Sequence, residues 1–245
     1  MHHVTVDRWS RQESIVHSRD PRAKVAALLL YLIVLATTPA APTALLFSFQ
    51  MFSYLALILS GIAAARLPVG ALELRAMVVL PFSATFALIT WFAGDPSRAG
   101  MLVAKSYLSA LAVLLVVATT PMPLLMRGLE AMGAPRIFGL LVQFLYRYLF
   151  VISEQAQHMR LASSCRMGTS QRNASDRFRA AAGAVSVLFA RSHARAEGIH
   201  RAMLSRGFQG RFAISSGLRL RPADYAFLFA CVVAILAIRL AFPAR

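Results

Sequence analysis

The chain has 245 residues, 58% of them hydrophobic and only 15% charged, with a mean hydropathy of +0.61. A composition this apolar excludes an ordinary soluble enzyme and fits a polytopic membrane protein. The net charge of +16 is concentrated in residues 122–221, where 15 Arg face Glu130, Glu154, Asp176 and Glu197, a net of +11. In an apolar chain such a block reads as cytoplasmic loops under the positive-inside rule rather than as a nucleic-acid footprint.

Residues 1–24 are polar and lack the early apolar core of a signal peptide. Asp20-Pro21 predicts a helix start, because Asp is a favoured N-cap and Pro at the first helical position gives up only an unpaired amide. The first apolar run, about 25–38, counts as a span when measured from Pro21, with Lys24 snorkelling to the interface. It ends at Pro39-Ala40-Ala41-Pro42. Further runs are expected at about 43–65, 76–93 and 101–120; Pro81 inside the 76–93 run predicts a kink. Lys105 reads as snorkelling to the outer interface. Residues 124–133 predict an amphipathic helix broken at Gly133-Ala134-Pro135. From Arg136 an apolar stripe at helical spacing (Ile137, Leu140, Leu141, Phe144, Leu145, Tyr148) predicts a helix at or partly in the bilayer, continuing without a breaker to near Gly168. A second long helix is expected over 177–205, with Ser175 or Asp176 as N-cap and Gly198 as a dividing point. A polar connector, 209–222, leads to a last span at about 223–242.

These elements predict an all-α polytopic integral membrane protein with about five transmembrane helices and long cytoplasmic coupling helices. The divisions expected are a four-span region over 1–120, a coupling region over 121–222 and a terminal span over 223–245. Charge places residues 1–24, 66–75 and 121–222 inside and the loops at 39–42 and 94–100 outside.

Enzyme chemistry is poorly supplied. The sequence has no phosphate-binding glycine loop, no HExxH and no nucleophile elbow. The two cysteines, Cys165 and Cys231, form no disulfide framework and no zinc motif. Met1-His2-His3 reads as a polar chain end. Asn173-Ala174-Ser175 matches a glycosylation sequon but falls in the expected cytoplasmic region. The distinctive feature is a pair of short patterns, Cys165-Arg166-Met167-Gly168 and Ser205-Arg206-Gly207, each near the end of a helical run. A cation suits a helix C-terminus on dipole grounds alone. Two such motifs on adjacent basic helices also fit insertion into an acidic partner, since the guanidinium fork pairs two ways with a carboxylate.

Taken with His17-Ser18-Arg19-Asp20-Pro21-Arg22-Ala23-Lys24, Thr119-Thr120-Pro121, Leu129, Gly133-Ala134-Pro135-Arg136 and Tyr146-Arg147-Tyr148, these motifs resemble the transmembrane (T) component of energy-coupling factor transporters. The likeness is strongest to the cobalt/nickel branch, the CbiQ/NikQ type. Family members carry Ala-Arg-Gly-like triplets. Ser205-Arg206-Gly207 matches closely, while Cys165-Arg166-Met167 has its glycine displaced to Gly168. The resemblance implies two partner ATP-binding cassette ATPases that bind the ATP, and a separate substrate-binding membrane subunit that holds the metal site. It implies no cofactor, catalytic residue or metal ligand in this chain, whose other contacts would be membrane lipid and not nucleic acid. It also implies that Cys165, Arg166, Met167, Gly168, Ser205, Arg206 and Gly207 couple to the ATPases. A T component for a vitamin substrate, or a self-contained channel or carrier, are the alternatives; spans whose polar residues are mainly Ser and Thr favour the scaffold.

Overall fold

The structure, a computed structural model, describes residues 9–10, 12, 14–38, 44–167, 173–209 and 221–241. Among them it is helical, with no strand. The helices are α1 (Pro21–Thr37), α2 (Ala44–Ala64), α3 (Val69–Ala76), α4 (Leu80–Phe92), α5 (Pro96–Thr119), α6 (Met122–Ala131), α7 (Arg136–Met167), α8 (Ala174–Ser205) and α9 (Pro222–Ala241). The chain forms two compact units, residues 1–139 with 218–245, and residues 140–217.

In the first unit the breakers act as their chemistry dictates. The Asp20 side chain accepts the Arg22 amide at 2.9 Å, and Pro21 opens α1. Pro81 cannot continue the hydrogen-bond ladder, so a 3₁₀ turn at Met77–Val79 separates α3 from α4. Gly94 (φ 96°) and Gly133 (φ 110°) take the left-handed conformation that ends α4 and α6. Arg66 does the same after α2 at φ 56°, with the Leu67 amide donating to the Ile62 carbonyl at 3.2 Å. A non-glycine residue rarely adopts that conformation.

Five helical stretches are long and apolar enough to cross a membrane: Phe47–Ala64, Val69–Phe92, Pro96–Thr119, Ile137–Arg166 and Pro222–Ala241. Four coincide with expected spans. The stretch in α7 qualifies as well, whereas the sequence reading set it at the interface. Helix α1 has 17 residues, or roughly 26 Å at 1.5 Å per residue, the lower limit for a bilayer core. It is nevertheless an inner helix. It packs against α5, α6 and α9, while α5 packs against α2, α3 and α4. Tyr31 and Tyr54 meet edge-to-face at 5.8 Å in the core between α1 and α2, with Leu35, Ile62, Leu72 and Leu111 around them.

The sequence contains two lysines, Lys24 and Lys105. Each reaches the C-terminal end of the other's helix. Lys24, on α1, is only 3% exposed. Its Nζ donates to the Thr119 carbonyl at 2.9 Å, to Thr120 Oγ1 at 3.2 Å and to the His17 carbonyl at 3.4 Å. Lys105, on α5, donates to the carbonyls of Thr38 at 2.6 Å and Ala36 at 3.2 Å. Lys24 thus ends inside the bundle, whereas its place in the sequence predicts snorkelling to the interface. The orphan carbonyls of a neighbouring helix end offer a cation both hydrogen bonds and a favourable dipole.

The Lys24 end holds a further set of bonds. Asp224, also buried, accepts the Asp20 amide at 3.2 Å and the Arg221 amide at 2.8 Å, so its carboxylate caps its own helix and ties α9 to the start of α1. Asp20 and Asp224 act electrostatically on Lys24. Before α1, His17 bonds Ser14 Oγ at 2.7 Å and the Trp9 carbonyl at 3.0 Å, and Arg75 lies over the Trp9 ring at 4.3 Å. Burial holds the His17 imidazole below its ordinary pKa. The N-terminal segment, the start of α1, the end of α5 and the start of α9 therefore share one face.

Removing Lys24 leaves the Thr119 and His17 carbonyls and the Thr120 hydroxyl without their buried donor. Lys24→Met should cost about 2–3 kcal/mol, the upper part of the range for buried hydrogen bonds to a charged group. Lys105→Met, at a half-buried site, should cost roughly 1–2 kcal/mol. Thermal denaturation in detergent measures both; an equal loss for the two variants would refute the ranking.

Candidate functional site

The basic region begins with α6. Its last turn closes with the Ala134 amide on the Leu129 carbonyl at 3.0 Å and the Gly133 amide on the Glu130 carbonyl at 3.1 Å. Pro135 then resets the chain for α7. As expected, α7 is one helix from Arg136 to Met167. Helix α8 begins at Ala174 with Asn173 as its N-cap, and the Asp176 amide bonds the Asn173 carbonyl at 3.1 Å. Ser175 and Asp176 thus lie inside the first turn, and Gly198 does not divide the helix. Asn173 makes no side-chain cap bond, and one glycine within 32 residues costs too little to break a helix.

In the second unit α7 and α8 meet where Phe144, Tyr148 and Ile152 face Ala196, Ile199 and Met203 around a cleft of about 390 Å³. Arg166 lies 18 residues beyond Tyr148 (166 − 148), roughly 27 Å along α7. Arg206 lies seven residues beyond Ile199 (206 − 199), roughly 10 Å along α8. The two triplets are not brought together. Each stands on its own side of the crossing.

Cys165 and Arg166 are exposed in the last turn of α7, and Met167 is its final residue. Gly168 lies outside the described residues. Ser205 is the exposed last residue of α8, and Arg206 is its exposed C-cap. Gly207 takes φ 77°, the Phe208 amide donates to the Met203 carbonyl at 3.0 Å, and the Gly207 amide donates to the Leu204 carbonyl at 3.0 Å. This is the doubly bonded left-handed helix end that glycine permits. It leaves the Arg206 side chain outside the helix.

Helix α8 also carries Phe178, Val185 and Phe189, exposed at 75%, 65% and 74%, beside the exposed Arg179 and Arg191. The sequence reading gave these apolar residues no site role. Their signal was the i, i+7, i+11 spacing in a helix whose other faces are basic. Apolar side chains this exposed mark a surface that something else covers. Farther along, Glu197 is flanked by His193 at 3.6 Å and Arg201 at 3.3 Å, exposed pairs that contribute little to stability. Among the described residues no group of three His, Cys, Asp or Glu side chains could hold a metal ion; Met1-His2-His3 lies outside them.

The model of the CbiQ family, described as cobalt transport protein, matches residues 12–215. The chain belongs to the CbiQ cobalt transport protein family. The match takes in the N-terminal segment, α1 to α8 and both arginine triplets. The chain is also similar to an uncharacterized protein of Methanocaldococcus jannaschii, 25% identical over 173 residues that cover 66% of this chain and 63% of that protein. It spans about 63% of the length of that curated relative. This CbiQ-family chain is a multi-pass membrane protein, and its family is one of transport components.

A Cβ at position 207 would meet nothing within 4 Å, so a substitution there acts through the backbone alone. Gly207→Ala should weaken the end of α8 by roughly 1–2 kcal/mol, the cost of a left-handed L-residue. Hydrogen exchange at residues 203–208 measures this. Unchanged protection of the Gly207 and Phe208 amides would show that the end does not rest on glycine.

Proposed function

We propose that this protein is the transmembrane scaffold of an energy-coupling factor importer. It transmits the motion of two cytoplasmic ATPases to a separate substrate-binding membrane subunit, with cobalt or nickel as cargo. The observation that carries this reading is the pair of exposed arginine-tipped helix ends, on opposite sides of the α7–α8 crossing, in a chain of the cobalt transport family. Two arginines so separated cannot enter one socket, but they suit two. Each guanidinium could pair in fork fashion with a carboxylate on an ATPase, a bond worth about 1.5–3 kcal/mol. The apolar stripe of α8 would add contact area beside them. ATP chemistry belongs to the partners, since the chain lacks a phosphate cradle, and the purified chain alone should not hydrolyse ATP.

In this reading residues 1–24 and 121–222 are cytoplasmic, as their charge favours. Cys165 is exposed at the end of α7. In a Cys231→Ser background it should resist a membrane-impermeant thiol reagent on intact cells and react in inverted vesicles. Labelling of intact cells would reverse the orientation.

Arg166→Ala and Arg206→Ala should each weaken coupling, since truncating one partner of an interfacial charge pair costs roughly 2–5 kcal/mol. Lysine should rescue only in part, because it lacks the planar fork. The double alanine variant should lose its ATPases or its metal uptake while the membrane unit still folds. If the arginines only cap helices, each change costs about 0.3–1 kcal/mol and transport persists. Uptake and co-purification at equal expression decide. Normal uptake by the double variant, with ATPases attached, rejects the coupling role.

A further inference from the structure

Helix α6 lies across the start of α1 with almost nothing between the two backbones. A Cβ built on Gly128 would sit 3.0 Å from Pro21 Cβ and 3.5 Å from both Pro21 C and Arg22 N. Gly128 is itself buried. The contact joins two stiff parts, a helix backbone and a proline whose ring fixes φ. The three nearest atoms all belong to Pro21 and the Arg22 backbone.

What lies behind Pro21 is equally tight. Asp20, one residue earlier, donates its amide to buried Asp224 of α9 at 3.2 Å. Lys24, one turn later, grips the end of α5 through Thr119 and Thr120. A push of α6 on Pro21 therefore meets three helices joined by bonds to buried charged side chains. Close-packed interiors of this kind transmit strain rather than dissipate it.

Resting on the scaffold reading above, we propose that the Gly128–Pro21 contact is the bearing through which the coupling region moves the membrane bundle, with Lys24 as the pin that makes α1 and α5 move as one piece. Gly128 is then a positioning residue for transport. A glycine kept only for close packing would affect folding and assembly, and nothing more.

The experiment uses the whole complex with its ATPases in proteoliposomes and reads metal uptake per ATP hydrolysed, normalised to assembled complex. Gly128→Ala wedges the bearing apart and Pro21→Gly removes the opposing Cβ. Each should lower uptake per ATP between about twofold and thirtyfold, the range for residues that carry coupling, with the ATPases still attached. The double variant Gly128→Ala with Pro21→Gly restores the clearance and should recover part of the loss. If Gly128→Ala does not accumulate, Pro21→Gly alone carries the test. Unchanged uptake per ATP in the variants that assemble, or a loss only in proportion to the amount of complex, overturns the inference and leaves the scaffold reading standing. A wild-type complex that holds no ATPase overturns both.

Discussion

The first unit depends on a single buried cation. Lys24 lies at the C-terminal end of α5, where it meets a main-chain carbonyl, a threonine hydroxyl and a second carbonyl from the N-terminal segment. A compact ammonium with three rotatable donors suits acceptors arriving from several directions, whereas a guanidinium offers its donors in one plane. The basic residues number 26, of which two are lysine, leaving 24 arginines (26 − 2). Arginine supplies the charge of the basic region. Lysine is used where a cation must end among the carbonyls of a neighbouring helix.

The pairing of the two lysines has a geometric consequence. Since each binds the C-terminus of the other's helix, α1 and α5 are pinned at both ends and must be antiparallel. Helix α9 packs against α1, and its Asp224 accepts the Asp20 amide, so α1, α5 and α9 are joined at their ends. Register among these three helices is thus set by polar contacts at their ends. The apolar surfaces between them could slide, because in a bilayer no hydrophobic effect fixes one helix against another.

Much of this was legible in the sequence, and what was not has a common cause. Asp20-Pro21, Gly133-Ala134-Pro135 and the apolar runs act locally, and their effects are where local chemistry puts them. The burial of Lys24 was not legible because a lysine near the end of a span has two outlets, the interface or a neighbour's carbonyls, and only the packing selects one. Arg66 was opaque for a similar reason: a left-handed arginine looks like any other charge beside a proline until the Leu67 amide is seen on the Ile62 carbonyl. The arginine triplets were visible as motifs. Their separation was not, because it depends on where along α7 and α8 the two helices cross.

That separation is joined by a difference in presentation. In α8 the glycine directly follows the arginine, so the helix ends at Ser205 and Arg206 is already its cap. In α7 a methionine stands between arginine and glycine, and the helix runs through Met167. Arg166 therefore projects from the flank of a last helical turn, while Arg206 projects from an end that has left the helix. The two arginines thus stand differently on their helices, one within a helical turn and one at a cap, because only Arg206 is followed at once by a left-handed glycine.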